Sequence, residues 1–272
     1  MNNNTNSALQ QWQESCQQLL AIDSAVPQEK YDEAIALCAQ IHASWTNRDD
    51  CDNCISFLST YANLCAMDER HASKEIDIQE EIVELRRKQA ATNKEKHLSK
   101  LSHSLFYAVQ LHRKATNVHR AMECMEEHLD IERALYESNP ANSKKDLAVA
   151  LYFMANTYAA FGRNILAEDT YIEAIATFNE MLDSNSSNND DIALLLAQII
   201  IEFADFHLAS RMIDKAIDRY IQALELLRTL SPDNQAARAL LKEQYGFMST
   251  LYAQVGNSDM SHYYAQLKED IN

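Results

Sequence analysis

Residues 146–177 read DLAVALYFMANTYAAFGRNILAEDTYIEAIAT. Apolar residues recur every three or four positions, the spacing of one helix face. Gly162 interrupts the pattern once, with Met154-Ala155-Asn156-Thr157-Tyr158 before it and Ala167, Tyr171 and Ala174 after it. The pattern predicts two antiparallel helices joined by a tight turn, where glycine takes a left-handed backbone without a Cβ clash. Small residues at 155, 167 and 174 allow helix axes to approach to about 8–10 Å. Tyr158 and Tyr171 supply large contact areas between hairpins.

The unit recurs. Ala216, Tyr220 and Ala223 stand 49 residues after Ala167, Tyr171 and Ala174, behind Phe203-Ala204. A third copy reads Met248-Ser249-Thr250-Leu251-Tyr252, then Gly256 and Ser261. Ala121 lies 46 residues before Ala167, and Ala34 in Lys30–Ile35 opens the series. Helix pairs repeating at this period predict a solenoid.

Composition agrees. The 272 residues hold 36 Ala but only 3 Gly, 3 Pro and 6 Val. A sheet protein needs more turn and β-branched residues. A phosphate-cradling loop needs glycines close together, and Gly162, Gly246 and Gly256 are far apart. Breaks at Ser24–Pro27, Asn47–Asn53, Ser138–Asn142, Asp183–Asp191 and Ser231-Pro232-Asp233 separate about twelve helices. Ser231 reads as an N-cap with Pro232 in the first helical position. No composition shift divides the chain. We therefore expect a disordered tail over 1–6 and one domain over 7–270, with the best repeats in 144–270 and divergent ones in 7–137.

These residues resemble the tetratricopeptide repeat (TPR) family, best over Asp146–Thr177. The spacing exceeds the family's standard of about 34 residues and is similar to the extended repeats of kinesin light chain and related bacterial proteins. The resemblance implies an all-α, right-handed superhelical solenoid of about six antiparallel hairpins. It also implies that the first helix of each pair lines a concave surface taking a peptide or a partner's helix. Carried over by register, that surface presents His103, Phe106, Gln110, Arg113 and Lys114, then Tyr152 and Asn156, then Gln198, Ile201 and Asp205. Amides such as Gln110 and Asn156 can pair with a peptide backbone, Tyr152 and Phe106 can anchor side chains, and Arg113 and Lys114 can hold a carboxylate. The two-Lys, two-Asn clamp of chaperone-tail binders is not matched, because Ile201 and Asp205 stand where its partners are needed.

Charge is uneven. The net charge is −16, yet residues 84–120 carry nine Lys or Arg against Glu84 and Glu95. That block suits an acidic partner or lies against acidic neighbours. With 40 acids and no aromatic-basic module, nucleic acid is not an expected partner. No secretory signal is seen at the N-terminus. The apolar cluster Ile192–Ile201, broken by Gln198 and followed by Glu202, reads as a buried helix rather than a membrane span. Six cysteines in a chain with a sizeable core read as free cytoplasmic thiols. The Trp12, Leu19 and Leu20 stripe is either core or a homodimer contact.

Chemistry is sparse. Cys51-Asp52-Asn53-Cys54 lacks the further ligands that zinc needs, and no nucleophile elbow occurs. No metal or other cofactor is expected. Arg113-Lys-Ala-Thr-Asn-Val-His119 resembles the Arg-x4–6-His motif of the all-helical HEPN ribonucleases, but the repeat register puts it in a hairpin turn. The leading expectation is a non-enzymatic scaffold. The alternatives are a regulatory receptor for a short signalling peptide and a HEPN-like ribonuclease.

Overall fold

The computed structural model describes residues 28–44, 51–184, 189–230 and 234–271, and every regular element among them is helical. The tail over 1–6, the stripe of Trp12, Leu19 and Leu20, and Ser231-Pro232-Asp233 lie outside the described residues. By their contacts, the residues fall into two compact units, Met1–Leu135 and Tyr136–Asn272.

The first unit holds α1 (Gln28–Ser44), α2 (Cys51–Ala66), a 3-10 turn (Glu69–His71), α3 (Ala72–Thr92), α4 (Lys94–Lys114) and most of α5 (Val118–Ser138). Its core joins Cys38 of α1, Phe57, Leu58, Tyr61 and Leu64 of α2, and Ile78 and Ile82 of α3. Asn93 alone links α3 to α4; its backbone is extended, and its side chain caps α4 by accepting from the Lys96 N–H at 3.1 Å.

The second unit holds α6 (Pro140–Ala160), α7 (Asn164–Ser184), α8 (Asn189–Ala209), α9 (Ile213–Thr229), α10 (Gln235–Gln254) and α11 (Ser258–Asp270). Pro140 opens α6 in the first helical turn, where its missing N–H has no bond to lose. Asn234 is the N-cap of α10, accepting from the Ala237 N–H at 3.0 Å. Asp190–Ala209 is long and apolar enough to cross a membrane by length and composition alone. Most of its apolar surface is nonetheless covered, with Leu196, Ala197, Ile200, Phe203 and Ala204 in one core with Tyr171 and Tyr220.

Four turns have one design. Between α4 and α5, α6 and α7, α8 and α9, and α10 and α11, one residue has positive φ: Thr116 at 57°, Gly162 at 70°, Arg211 at 62° and Gly256 at 80°. In each, the next N–H reaches five residues back: Asn117 to His112 O, Arg163 to Tyr158 O, Met212 to His207 O and Asn257 to Tyr252 O, all at 2.8 Å. This is the bonding of a Schellman cap, which satisfies carbonyls left open at a helix end. Five residues beyond each positive-φ residue stand Ala121, Ala167, Ala216 and Ser261. The three alanines are wholly buried, so the small residues that carried the sequence period are the contacts where paired helices touch.

Candidate functional site

The first helices of the second unit present a polar face built from repeated positions. Asn156 on α6 and Asp205 on α8 are 49 residues apart, as are Tyr171 on α7 and Tyr220 on α9. In each hairpin the tyrosine hydroxyl donates to its partner: Tyr171 to Asn156 Oδ1, Tyr220 to Asp205 Oδ1. Both rings are buried, so each phenol needs an acceptor, and the first helix provides it. Burial, and then the Asp205 carboxylate, push the Tyr220 hydroxyl well above the ordinary phenol range.

Glu202 ties α6 to α8. Its carboxylate accepts from the Tyr152 hydroxyl at 2.7 Å and from Asn156 Nδ2 at 3.0 Å. Asn156 therefore accepts through one end of its amide and donates through the other. On α10 the Phe247 ring lies 5.0 Å from the Tyr220 ring and stays 37% exposed. Among the described residues, Glu202 and Asp205 have no cationic partner within ion-pair distance. Burial raises the Asp205 carboxyl above the usual carboxylate range; Glu202 nearby adds to the rise, and the Tyr220 bond opposes it.

Solved structures with this arrangement of hairpins are TPR-like. BtubC (BKLC) from P. vanneervenii superposes with a TM-score of 0.58 at 15% identity, over 89% of this chain and 88% of that one. A set of nearly identical TPR-like repeats from Podosopora anserina gives 0.53 at 15% identity, over 84% of this chain and 97% of that one. Its Q17M form gives 0.51 at 17% identity, over 81% and 94%. The chain has the TPR-like helical-repeat fold. No family model and no curated protein matches the sequence.

The remaining face residues of this TPR-like chain are placed as follows. Gln198 is exposed on α8 beside Glu202, while Ile201 is buried, so the face turns toward Glu202, one residue from the expected position. In the first unit, His103 is exposed, with Nδ1 2.7 Å from the Ser99 carbonyl of its own helix. Phe106 packs its ring 5.4 Å from that of His128 on α5. Gln110 and Arg113 are half-buried, and exposed Lys114 stands 3.9 Å from Glu69. The basic block is partly neutralised within its own unit. Arg87 binds Glu127, with Nε to Oε1 at 2.9 Å, and Glu84; Arg120 binds Glu80, with Nε to Oε1 at 2.6 Å, and Glu123 at 3.1 Å.

Three buried polar groups could suggest chemistry. Ser102 accepts from or donates to His128 Nδ1 at 2.7 Å and donates to Glu132, but it is 1% exposed and no substrate can reach it. Burial pushes the His128 imidazole down to about 4. Glu80, His112 and Cys124 bring ligand atoms within 4.8 Å of one another. Yet Glu80 already accepts from His112 Nε2 at 2.6 Å and from Arg120, so a divalent ion would meet a guanidinium on its carboxylate ligand. The residues do not fit a metal centre. The motif recurs without cysteine in the second unit: Glu168 holds Lys215 at 2.6 Å and lies 3.6 Å from His207 Nε2. Both histidines stand four residues before a positive-φ residue, and both cations four after it.

The Arg113–His119 segment spans the α4–α5 turn, as its register requires. His119 is exposed and lies 3.4 Å from Glu123, one turn along α5. Cys38, Cys54, Cys65 and Cys124 are buried.

Proposed function

We propose that the chain is a non-catalytic protein-binding module that holds an extended peptide, or one helix of a partner, along the first-helix face of α6, α8 and α10. The observation that carries this reading is the face itself. Exposed Gln198 and Asp205 sit on α8, which the Tyr152–Glu202–Asn156–Tyr171 network fixes against α6 and α7, and exposed Phe247 sits on α10. Such fixing lowers the ordering cost of binding, and a solenoid face needs no chemistry to recognise a chain. The expected α4 residues His103, Phe106, Gln110, Arg113 and Lys114 extend the same reading to the first unit.

The test is photo-crosslinking in source cells. A photoreactive residue replaces Gln198 on the face or, as a control, Glu225 on the exposed side of α9. We expect one defined adduct from position 198 and none from 225. Equal labelling from both positions, or labelling from 225 alone, would move binding off the first helices.

A further inference from the structure

Several acids of the described residues are held by cations from other helices. Between hairpins, Glu80 pairs with Arg120, Glu127 with Arg87 and Glu168 with Lys215; within the α6–α7 hairpin, Glu180 pairs with Lys144 at 2.7 Å. Glu202 and Asp205 are different. They stand one turn apart on α8, half-buried and exposed respectively, and side chains three residues apart share a helix face. Each is held in place by hydroxyl or amide donors, and among the described residues neither has a cation within ion-pair distance. Held carboxylates cannot swing away to relieve their mutual repulsion.

The surroundings add a second requirement. Phe247 exposes an apolar ring on the same face, and Tyr152 lies partly open beside Glu202. Exposed Asp191 and Glu243 extend the negative charge along α8 and α10. Paired carboxylates flanked by aromatic rings match a lysine or arginine side chain. The rings take the apolar stem and the acids take the head group.

We infer that the occupant of this face is a basic segment of another protein, with a lysine or arginine seated on Glu202 and Asp205 and its stem against Phe247. This rests on the binding reading above and adds the partner's chemistry. It reverses the expectation of an acidic partner drawn from residues 84–120, where Arg87 and Arg120 are already paired. Burial and the nearby Glu202 hold the Asp205 carboxyl above the usual range, and an arriving cation would draw it back down.

The experiment selects peptides from a displayed random library on the full chain, then measures affinities of synthetic copies. Glu202→Gln/Asp205→Asn keeps an acceptor oxygen for both tyrosine hydroxyls and removes two charges. Asp218→Asn/Glu225→Gln removes two charges from the exposed side of α9 and controls for net charge. We expect selected peptides rich in Lys and Arg, with affinity about tenfold or more weaker for the first variant. The second variant should bind as the wild type does, and added salt should weaken binding. Selected peptides without Lys or Arg enrichment, displaced by Phe247→Asp, would overturn the cationic partner and leave the binding face standing. Basic peptides bound equally by all three proteins would show only general attraction to an acidic chain and overturn the inference. No selected peptides would remove the inference together with the proposed function.

Discussion

The repeated turn allows a test with opposite signs at one structural position. Gly162 and Arg211 both lie in the second unit, both have positive φ (70° and 62°), and both precede the N–H that makes a 2.8 Å cap bond. A Cβ built on Gly162 meets no atom within 4 Å, so Gly162→Ala carries no packing cost. What remains is the left-handed backbone, about 1–2 kcal/mol for a residue with a Cβ. This is offset by about 0.4–1 kcal/mol from the stiffer unfolded chain. The net expectation is a loss of about 1 kcal/mol. Arg211→Gly reverses each term and should gain a similar amount, because exposed Arg211 carries no ion pair among the described residues. Urea unfolding followed by circular dichroism reads both as midpoint shifts at constant slope. Shifts of the same sign, or a stabilising Gly162→Ala, would refute the assignment of the turns to one strained geometry.

Three further expectations follow from buried groups. Tyr220→Phe removes the hydroxyl that Asp205 accepts, and should cost about 1–2 kcal/mol in urea unfolding; it should also raise the Asp205 carboxyl further, which a carbon-detected NMR titration would register. His128 is neutral in the folded protein, with its imidazole near 4 against 6.5 when unfolded, so the unfolded chain binds the extra proton between those values. Stability is then full above about pH 6.5 and falls by on the order of 3 kcal/mol as pH drops toward 4; a His128→Gln variant whose unfolding keeps the wild-type slope over that window would contradict this. Ala167→Leu adds volume at a wholly buried helix contact and should lower the thermal midpoint by an amount equivalent to about 1–3 kcal/mol.

The hairpins were legible because their contacts are made by residue size. Ala121, Ala167, Ala216 and Ser261 mark the period, since only small residues fit where paired helices meet. Gly162 and Gly256 announced two turns. Thr116 and Arg211 did not, because a cap that bonds five residues back can hold an ordinary residue in the same geometry. The face was legible in part. Register located Asn156, Tyr152, Gln198 and Asp205, but it also chose Ile201, whose side chain is buried, and passed over its neighbour Glu202. A slip of one residue turns a helix by about 100°, enough to exchange core for face. The 49-residue offset relating Tyr171 to Tyr220 and Asn156 to Asp205 held the missing signal: a buried phenol needs an acceptor, and both acceptors keep the same offset.

The ion pairs were not legible, and their placement explains how the net charge is carried. Glu80 and Arg120 are 40 residues apart, and Glu168 and Lys215 are 47 apart. Each pair joins the second helix of one hairpin to the second helix of the next, so it depends on how the hairpins stack. These pairs sit at alternate turns: His112 with Arg120, then apolar Tyr158 with Leu166, then His207 with Lys215, then apolar Tyr252 with Met260. The apolar turns are the ones with glycine, and the polar turns are the ones without. At the two turns without glycine, a charged pair binds the hairpin to its neighbour. Arg87, Arg120 and Lys215 thus lie between helices, at stacking positions. Glu202 and Asp205 on the first-helix face have no cationic partner among the described residues. An excess of 16 negative charges is therefore not spread evenly over the surface. On that face, the carboxylates are held still by neutral donors, which fixes their position without cancelling their charge.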